Sequence, residues 1–277
     1  MSQEILVLGG NGKTGRRVTE RLRARRLAVR IGSRRGEPPF DWEDRSTWAP
    51  ALAGASAVYV AYYPDLAVPG APEAIGELAD KALAAGARRI VLVSDRGAEE
   101  SERAERVLAG SGAEWTVLRC SWFMQNFSEG GFAEMVAAGE LALPAGDVPT
   151  PFVDADDIAD AAVAALTEDG HAGRVYVLTG PRALTHQEVA EELGGAIGRP
   201  VRYEPVPLEA FTAALTAAGE RQDVVSLLRY LFSEVLVESN AGVADGVRRA
   251  LGREPRDFSA FARDAAREGA WEEPLAA

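Results

Sequence analysis

Eight residues near the N-terminus, LGGNGKTG from Leu8 to Gly15, carry two phosphate-binding patterns at once. Gly12-Lys13-Thr14 has the ending of a P-loop. Gly10, Asn11, Gly12, Lys13, Thr14 and Gly15 together read instead as G-x-G-x-x-G, the turn that seats a dinucleotide. A P-loop needs a glycine five residues before Gly12, because its longer turn wraps the phosphates. Val7 stands there, inside the apolar run EILVL, so the turn is too short and an ATPase or kinase loop is excluded. In the dinucleotide pattern each part has a role. Glu4 to Leu8 form a buried parallel strand and Gly10 to Gly12 the tight turn. Arg16 to Arg25 continue a helix whose first amides face a pyrophosphate, and Gly15 lets that helix lie close to the strand.

The second strand, expected over Leu27 to Gly32, bears on which dinucleotide binds. An NAD site usually places Asp or Glu about 20 residues past the glycines, on the ribose 2′-hydroxyl. Here the strand runs into Ser33, Arg34 and Arg35, a hydroxyl and two guanidinium groups that suit the 2′-phosphate of NADP. A solvated basic turn is the plainer use of the same residues. NADP(H) is the expected cofactor. The Tyr-x-x-x-Lys pair of common short-chain dehydrogenases is missing: the chain's lysines are Lys13 and Lys81, preceded four places earlier by Gly9 and Glu77. A proton for any reduction must then come from Ser94, from water or from the substrate itself.

The 277-residue chain is 47% hydrophobic, enough to bury a full core, and its net charge of -12 disfavours nucleic acid and anionic membrane as partners. Cys120 is the single cysteine, so no internal disulfide forms and a reducing cytoplasm is the expected setting. The N-terminus enters a strand at once, with no signal-peptide pattern, and no window approaches the ~20 apolar residues of a membrane span. With His171 and His186 as the two histidines, no metal site is expected.

Apolar runs and amphipathic stretches alternate through the first part of the chain. Strands are expected at Ser56 to Tyr62, Arg89 to Ser94, Trp115 to Cys120 and Val175 to Leu178. Helices are expected around Thr47 to Leu52 and over Ala74 to Ala85, Glu99 to Ala109 and Asp156 to Leu166, with Asp154 and Asp156 as caps. This is the pattern of an α/β fold, a doubly wound parallel sheet of Rossmann type. After Gly180-Pro181 the chain turns mostly helical, with a T-x-x-E capping box at Thr185 to Glu188 and a short strand over Val201 to Val206. Residues 1–180 are read as the NADP-binding domain. Residues 181–277 are read as a small, mostly helical C-terminal cap on the substrate side.

GGNGKTG, FDWEDRSTW (40–48), RRIVLVSDRG (88–97), SGAEWTVLRCSWFMQNF (111–127) and FVDADDIADAA (152–162) occur in that order, followed by GRPVRYEPV (198–206) and LGREP (251–255). Together they resemble the NmrA-like branch of atypical short-chain dehydrogenases over nearly the whole chain, with ergot-alkaloid reductase-like proteins and NAD(P)H:quinone reductases as the nearest groups. The resemblance implies that Gly10 to Gly15 hold the pyrophosphate and Ser33, Arg34 and Arg35 the 2′-phosphate. It places Asp41 and Trp42 beside the adenine and Ala61, Tyr62 and Tyr63 at the adenosine ribose. Ser94 and Asp95 then fall near the nicotinamide as candidate catalytic groups, with Cys120 at the cofactor. Trp122, Phe123, Met124, Gln125 and Asn126 follow on the substrate side. Plain alternatives stand beside these roles: a turn hydroxyl for Ser94, a carboxylate paired with Arg96 or Arg89 for Asp95, and core packing for Trp122, Phe123 and Met124.

The expected function is an NADPH-dependent reductase acting on a ketone or quinone of a bulky, polycyclic or aromatic small molecule. Few lysines among many arginines and alanines hint at a GC-rich bacterial genome and a role in secondary metabolism. An iminium acceptor is the close variant, and a non-catalytic NADP-sensing regulator that binds a protein partner is the reading of another class. The oligomeric state is left open.

Overall fold

Six short runs rich in Val, Ile, Leu and Tyr become parallel strands whose central residues are buried, with charged side chains mostly at their ends. The computed structural model describes residues 4–272. In chain order its strands and α-helices are β1 (Glu4–Leu8), α1 (Lys13–Ala24), β2 (Val29–Gly32), α2 (Trp48–Leu52), β3 (Ala55–Val60), α3 (Ala71–Ala84), β4 (Arg89–Asp95), α4 (Glu99–Ala109) and β5 (Glu114–Cys120). Next come α5 (Gly131–Ala138), β6 (Glu140–Leu143), α6 (Ala155–Thr167), β7 (Arg174–Leu178), α7 (His186–Ile197) and β8 (Arg202–Pro205). The chain continues with α8 (Leu208–Ala217), α9 (Gln222–Tyr230), α10 (Gly246–Leu251) and α11 (Phe258–Arg267).

The chain forms two compact units. The first holds the chain through Cys120, Ala155–Leu178 and Asp245–Arg253. The second holds Ser121–Asp154, Thr179–Ala244 and the chain from Glu254 onward. This differs from a single boundary after Gly180. The change to helical character there is local, whereas membership of a unit follows from packing. Asp245–Arg253 returns to the first unit because α10 lies against β7, so close that a β-carbon on Gly246 would stand 2.1 Å from the Val177 carbonyl oxygen.

In the first unit the six-stranded sheet has the order β2-β1-β3-β4-β5-β7, every pairing parallel. It is the doubly wound Rossmann-type sheet expected. The order reverses between β1 and β3, and the carboxyl ends flanking that point are where such sheets bind ligands. Leu6, Leu8, Val58, Val60 and Leu92 pack against Trp48, Leu52, Ile75 and Leu78. On the other face α1 is tied to α6: Arg21 donates from Nε to Asp160 at 2.6 Å and from Nη2 to Asp156 at 2.7 Å. Asp156 therefore sits inside the first turn of α6 and serves an inter-helix ion pair rather than a cap, because the helix begins one residue earlier, at Ala155.

In the second unit β6 and β8 pair in parallel, from Glu140 opposite Arg202 to Leu143 opposite Pro205. The four residues of β6 are too few to show a period, and their partner lies some 60 residues on, so the sequence shows β8, expected over Val201 to Val206, but not the strand it pairs with. Phe127, Phe152, Phe258, Phe261 and Trp271 fill the core, and the Trp271 indole donates to the Phe127 carbonyl at 2.7 Å. The capping box at Thr185 and Glu188 is formed as expected. It brings His186 into the aromatic core, with ring centroids 5.5 Å from Phe152 and 5.9 Å from Tyr203. Neither nitrogen of His186 has a hydrogen-bond partner among the described residues, and burial lowers its pKa to about 4.

An unfolded histidine titrates near 6.5, so folding holds His186 neutral. Stability from this residue is fully present above pH ~6.5 and is lost as pH falls toward about 4, a change of about 3 kcal/mol. His186→Leu is expected to flatten that acid-side loss in urea titrations run between pH 8 and 4. An unchanged slope with pH would contradict this account.

Candidate active site

The loop after β1 is shaped by three glycines. Gly9 adopts φ +75°, a conformation that L side chains rarely take, and the Gly12 amide closes the turn by donating to the Gly9 carbonyl at 2.9 Å. A β-carbon on Gly15 would lie 2.2 Å from that same carbonyl oxygen, so α1 can dock on the turn because Gly15 has none. Gly10 is crowded as well: a β-carbon there would stand 2.8 Å from Cγ2 of Ile31, a β-branched side chain with little freedom to move, and 3.3 Å from the Val7 carbonyl oxygen. No side chain caps α1 at Gly12, which leaves the helix N-terminus without the usual internal acceptor. Tyr59, fully buried in β3, donates its hydroxyl to Thr14 at 2.7 Å and fixes the first helical turn against the sheet.

After β2, the amides of Gly36 and Phe40 both donate to the Ser33 carbonyl, at 3.0 and 2.9 Å, folding the loop back on itself. Arg34 and Arg35 stand exposed on this loop, and among the described residues neither has an ion-pair partner. Next to them, Trp42 packs against Phe40, Trp48 and Tyr62, its ring centroid 4.6 Å from Tyr62. The Asp41 carbonyl accepts from the Trp48 indole at 2.7 Å. Ala61 donates its amide to the Leu8 carbonyl and touches the space beside Gly9. Asp41, Trp42, Ala61 and Tyr62 thus belong to the carboxyl edge that carries the glycine turn, while the Tyr63 side chain is exposed.

Ser94 does not sit as a free donor. It is fully buried and donates to Glu105 of α4 at 2.6 Å, and Glu105 is in turn gripped by the Arg119 guanidinium. Its one proton is committed to a carboxylate inside the unit, so its place is structural. Asp95 ends β4 half-exposed, accepts from the Ser101 hydroxyl at 3.0 Å and is hydrogen-bonded to the carboxyl of Asp65. Burial pushes both carboxyls up, and the negative charge of Asp65 pushes Asp95 well above the usual carboxylate range. Arg89, one of its expected partners, pairs instead with Asp169 and Glu114. Asp65 escaped the sequence reading because Pro-Asp-Leu-Ala has the form of an Asx turn, and its Oδ1 does accept from the Ala67 amide at 2.8 Å. Cys120 is buried, and burial together with Asp95 raises its thiol pKa well above normal, which leaves it unreactive as a thiolate.

In the second unit Met124 and Gln125 are buried, and Gln125 donates to Asp154 at 2.7 Å. Trp122, Phe123 and Asn126 remain half-exposed, Trp122 with its ring 5.1 Å from Phe232. Among the described residues no His, Cys, Asp and Glu group is arranged to hold a metal, and no helix is long and apolar enough to cross a membrane.

A family model described as NAD(P)H-binding matches residues 9–169, more than half of the chain. The chain belongs to this NAD(P)H-binding family. Its match begins at Gly9, the residue whose positive φ opens the turn. This family member is 33% identical over 269 residues to the oxidoreductase YesF of Bacillus subtilis, covering 93% of each chain. It is 31% identical over 283 residues to the agroclavine dehydrogenase of Claviceps fusiformis, covering 94% and 96%. Its fold matches that of an NADPH-dependent quinone oxidoreductase from Escherichia coli complexed with NADPH, with a TM-score of 0.77 at 23% identity over 94% and 99% of the two chains. It is an NAD(P)H-dependent oxidoreductase, and its fold also matches that of the negative transcriptional regulator NmrA, with a TM-score of 0.69 at 16% identity over 98% and 97% of the two chains. NADP(H) fits the residues present: a turn and helix start that a β-carbon would fill, and two guanidinium groups with no internal partner.

Two substitutions test this fit. Arg34→Ala with Arg35→Ala is expected to weaken NADPH binding about 100-fold and NADH binding little, since each charged hydrogen bond contributes about 1.5–3 kcal/mol. Gly15→Ala is expected to weaken both cofactors alike. Fluorescence titration of each variant reads both results, and equal loss of NADPH and NADH in the double variant would remove the arginines from the 2′-phosphate.

Proposed function

We propose that this oxidoreductase uses NADPH to reduce a ketone or quinone carbonyl of a bulky polycyclic or aromatic small molecule, without a Tyr-Lys pair. The bound cofactor supplies a hydride. The observation that carries the reading is the make-up of the sheet's carboxyl edge: a dinucleotide turn and, on the loop after β2, two exposed arginines that have no ion-pair partner among the described residues. Lys81 pairs with Glu77 on α3, and Tyr59 is closed in the core. An acceptor whose reduced oxyanion is already stabilised, as in a quinone or a hydroxy-aryl ketone, suits such an edge. The half-exposed aromatic rings Trp122 and Phe123 support a large flat substrate. Orientation of the acceptor against the nicotinamide then supplies most of the rate.

The agroclavine dehydrogenase relative supports a second reading, reduction of an iminium cation. That acceptor becomes a neutral amine on receiving hydride and needs no acid. Loss of NADPH absorbance with quinones, polycyclic hydroxy-ketones and cyclic iminium salts separates the two. Turnover is expected on a carbonyl class, at least tenfold faster with NADPH than with NADH. Turnover on iminium salts alone would favour the second reading. Tight NADPH binding with no turnover on any class would point to a cofactor-sensing regulator.

A further inference from the structure

Five threonines lie in α-helices among the described residues, and four of them use the side chain in the same way. Thr19 donates to the Gly15 carbonyl at 2.9 Å, Thr167 to Val163 at 2.7 Å, Thr212 to Leu208 at 3.0 Å and Thr216 to Thr212 at 2.9 Å, each one turn back along its own helix. That back-bond is the usual use of a helical threonine hydroxyl. Thr14 departs from it. Its oxygen lies 2.7 Å from the Tyr59 hydroxyl on β3, and among the described residues it makes no bond to the Gly10 carbonyl one turn back. The phenol is the stronger acid of the two hydroxyls, so it donates and Thr14 accepts. Tyr59 is fully buried, and burial pushes its titration upward, so the donor keeps its proton. Its backbone is held on both sides, in register with Val7 of β1 and Val91 of β4. Other helices fix their first turn from within, α7 by the Thr185–Glu188 box and α11 by the Asp257 carboxylate. α1 has no side-chain cap at Gly12, and a strand inside the sheet holds its first turn instead.

We propose that Tyr59 is a positioning residue for the dinucleotide: through Thr14 it sets the height and direction of the α1 N-terminal amides that receive the pyrophosphate. The inference rests on the cofactor lying at the glycine turn, the placement that Gly15→Ala tests above, and not on which acceptor is reduced. Tyr59 is closed off from any ligand by its burial, so it acts through Thr14 alone. Without the phenol's bond, Thr14 is free to turn to the Gly10 carbonyl as the other helical threonines do. Gly10 belongs to the turn itself, so that back-bond ties the start of the helix to its own loop and no longer to the sheet. An anion held by several backbone donors at once loses affinity when those donors shift together. The pyrophosphate is common to NADPH and NADH, so the loss is the same for both. The arginines of the β2 loop, by contrast, act on NADPH.

Tyr59→Phe removes one oxygen and leaves the ring in its place in the core. It is expected to raise the Kd of NADPH and of NADH about tenfold each, read by fluorescence titration. Thr14→Val, which keeps the shape of the side chain without its hydroxyl, should do the same, and Thr14→Ser should keep the parent affinity. The double variant, Tyr59→Phe with Thr14→Val, should lose no more than either change alone, because both remove one and the same bond. A readout without ligand accompanies these. In the cofactor-free protein the Arg16 amide, which donates to the Gly12 carbonyl at 3.1 Å, should exchange with solvent faster in Tyr59→Phe. Unchanged affinities in Tyr59→Phe, a loss confined to NADPH, or losses that add in the double variant would overturn the positioning role. If Gly15→Ala also leaves both cofactors bound, the placement at the turn fails and takes this role with it. A loss in Gly15→Ala with none in Tyr59→Phe removes Tyr59 alone.

Discussion

The first unit depends on one close approach, that of helix α1 to the Gly9 carbonyl. Gly15 stands so near that oxygen that no side chain fits between them, and the contact fixes both the angle of α1 and the height of its N-terminus above the sheet. The other positions in the loop follow from it. The Gly12 amide can close on Gly9, α1 begins at Lys13 without a side-chain cap, and Thr14 comes within reach of the Tyr59 hydroxyl. A helix seated this way presents amide donors and its positive dipole end to an anion. In the proposed reading, pyrophosphate binding rests on this backbone geometry and the choice between dinucleotides on exposed side chains of the β2 loop.

The carboxyl edge of the sheet shows how burial sorts similar residue types into different work. Ser94 and Asp95 are adjacent in sequence and alternate in direction along β4, as successive strand residues must. Ser94 faces inward and is consumed by the Glu105–Arg119 network. Asp95 stays half-exposed and meets another acid. An arginine beside Asp95 would have made it an ordinary ion pair. With Asp65 there instead, burial and like charge both push the Asp95 carboxyl above the usual carboxylate range.

The second unit uses a different means of holding together, an aromatic core of phenylalanines with a short parallel sheet beside it. Its polar contents are few and mostly spent. Gln125 is bound to Asp154, and Arg182 makes a two-bond contact with Asp257 at 2.7 and 2.8 Å that holds the Asp257 pKa far below normal. His186 is the exception, a polar ring kept neutral among hydrocarbons. The half-exposed aromatic residues, Trp122 and Phe123, are the part of this unit left available to an apolar ligand.

Local patterns in the sequence were enough for the glycine turn between β1 and α1, the six parallel strands and the capping box at Thr185, because each is written in residues close together along the chain. Residue spacing did not single out Gly9, whose part in the turn lies in a positive backbone angle. Tertiary structure alone decided that Ser94 is sealed in, that Met124 and Gln125 are core, that β6 finds β8, and that α10 returns to the first unit. It alone brought Asp65 to Asp95 across thirty residues of chain. The physical reason is the same throughout. Turns, caps and hydrophobic periods are short-range properties of the backbone, whereas burial and charge coupling depend on distances that exist only once the strands lie side by side.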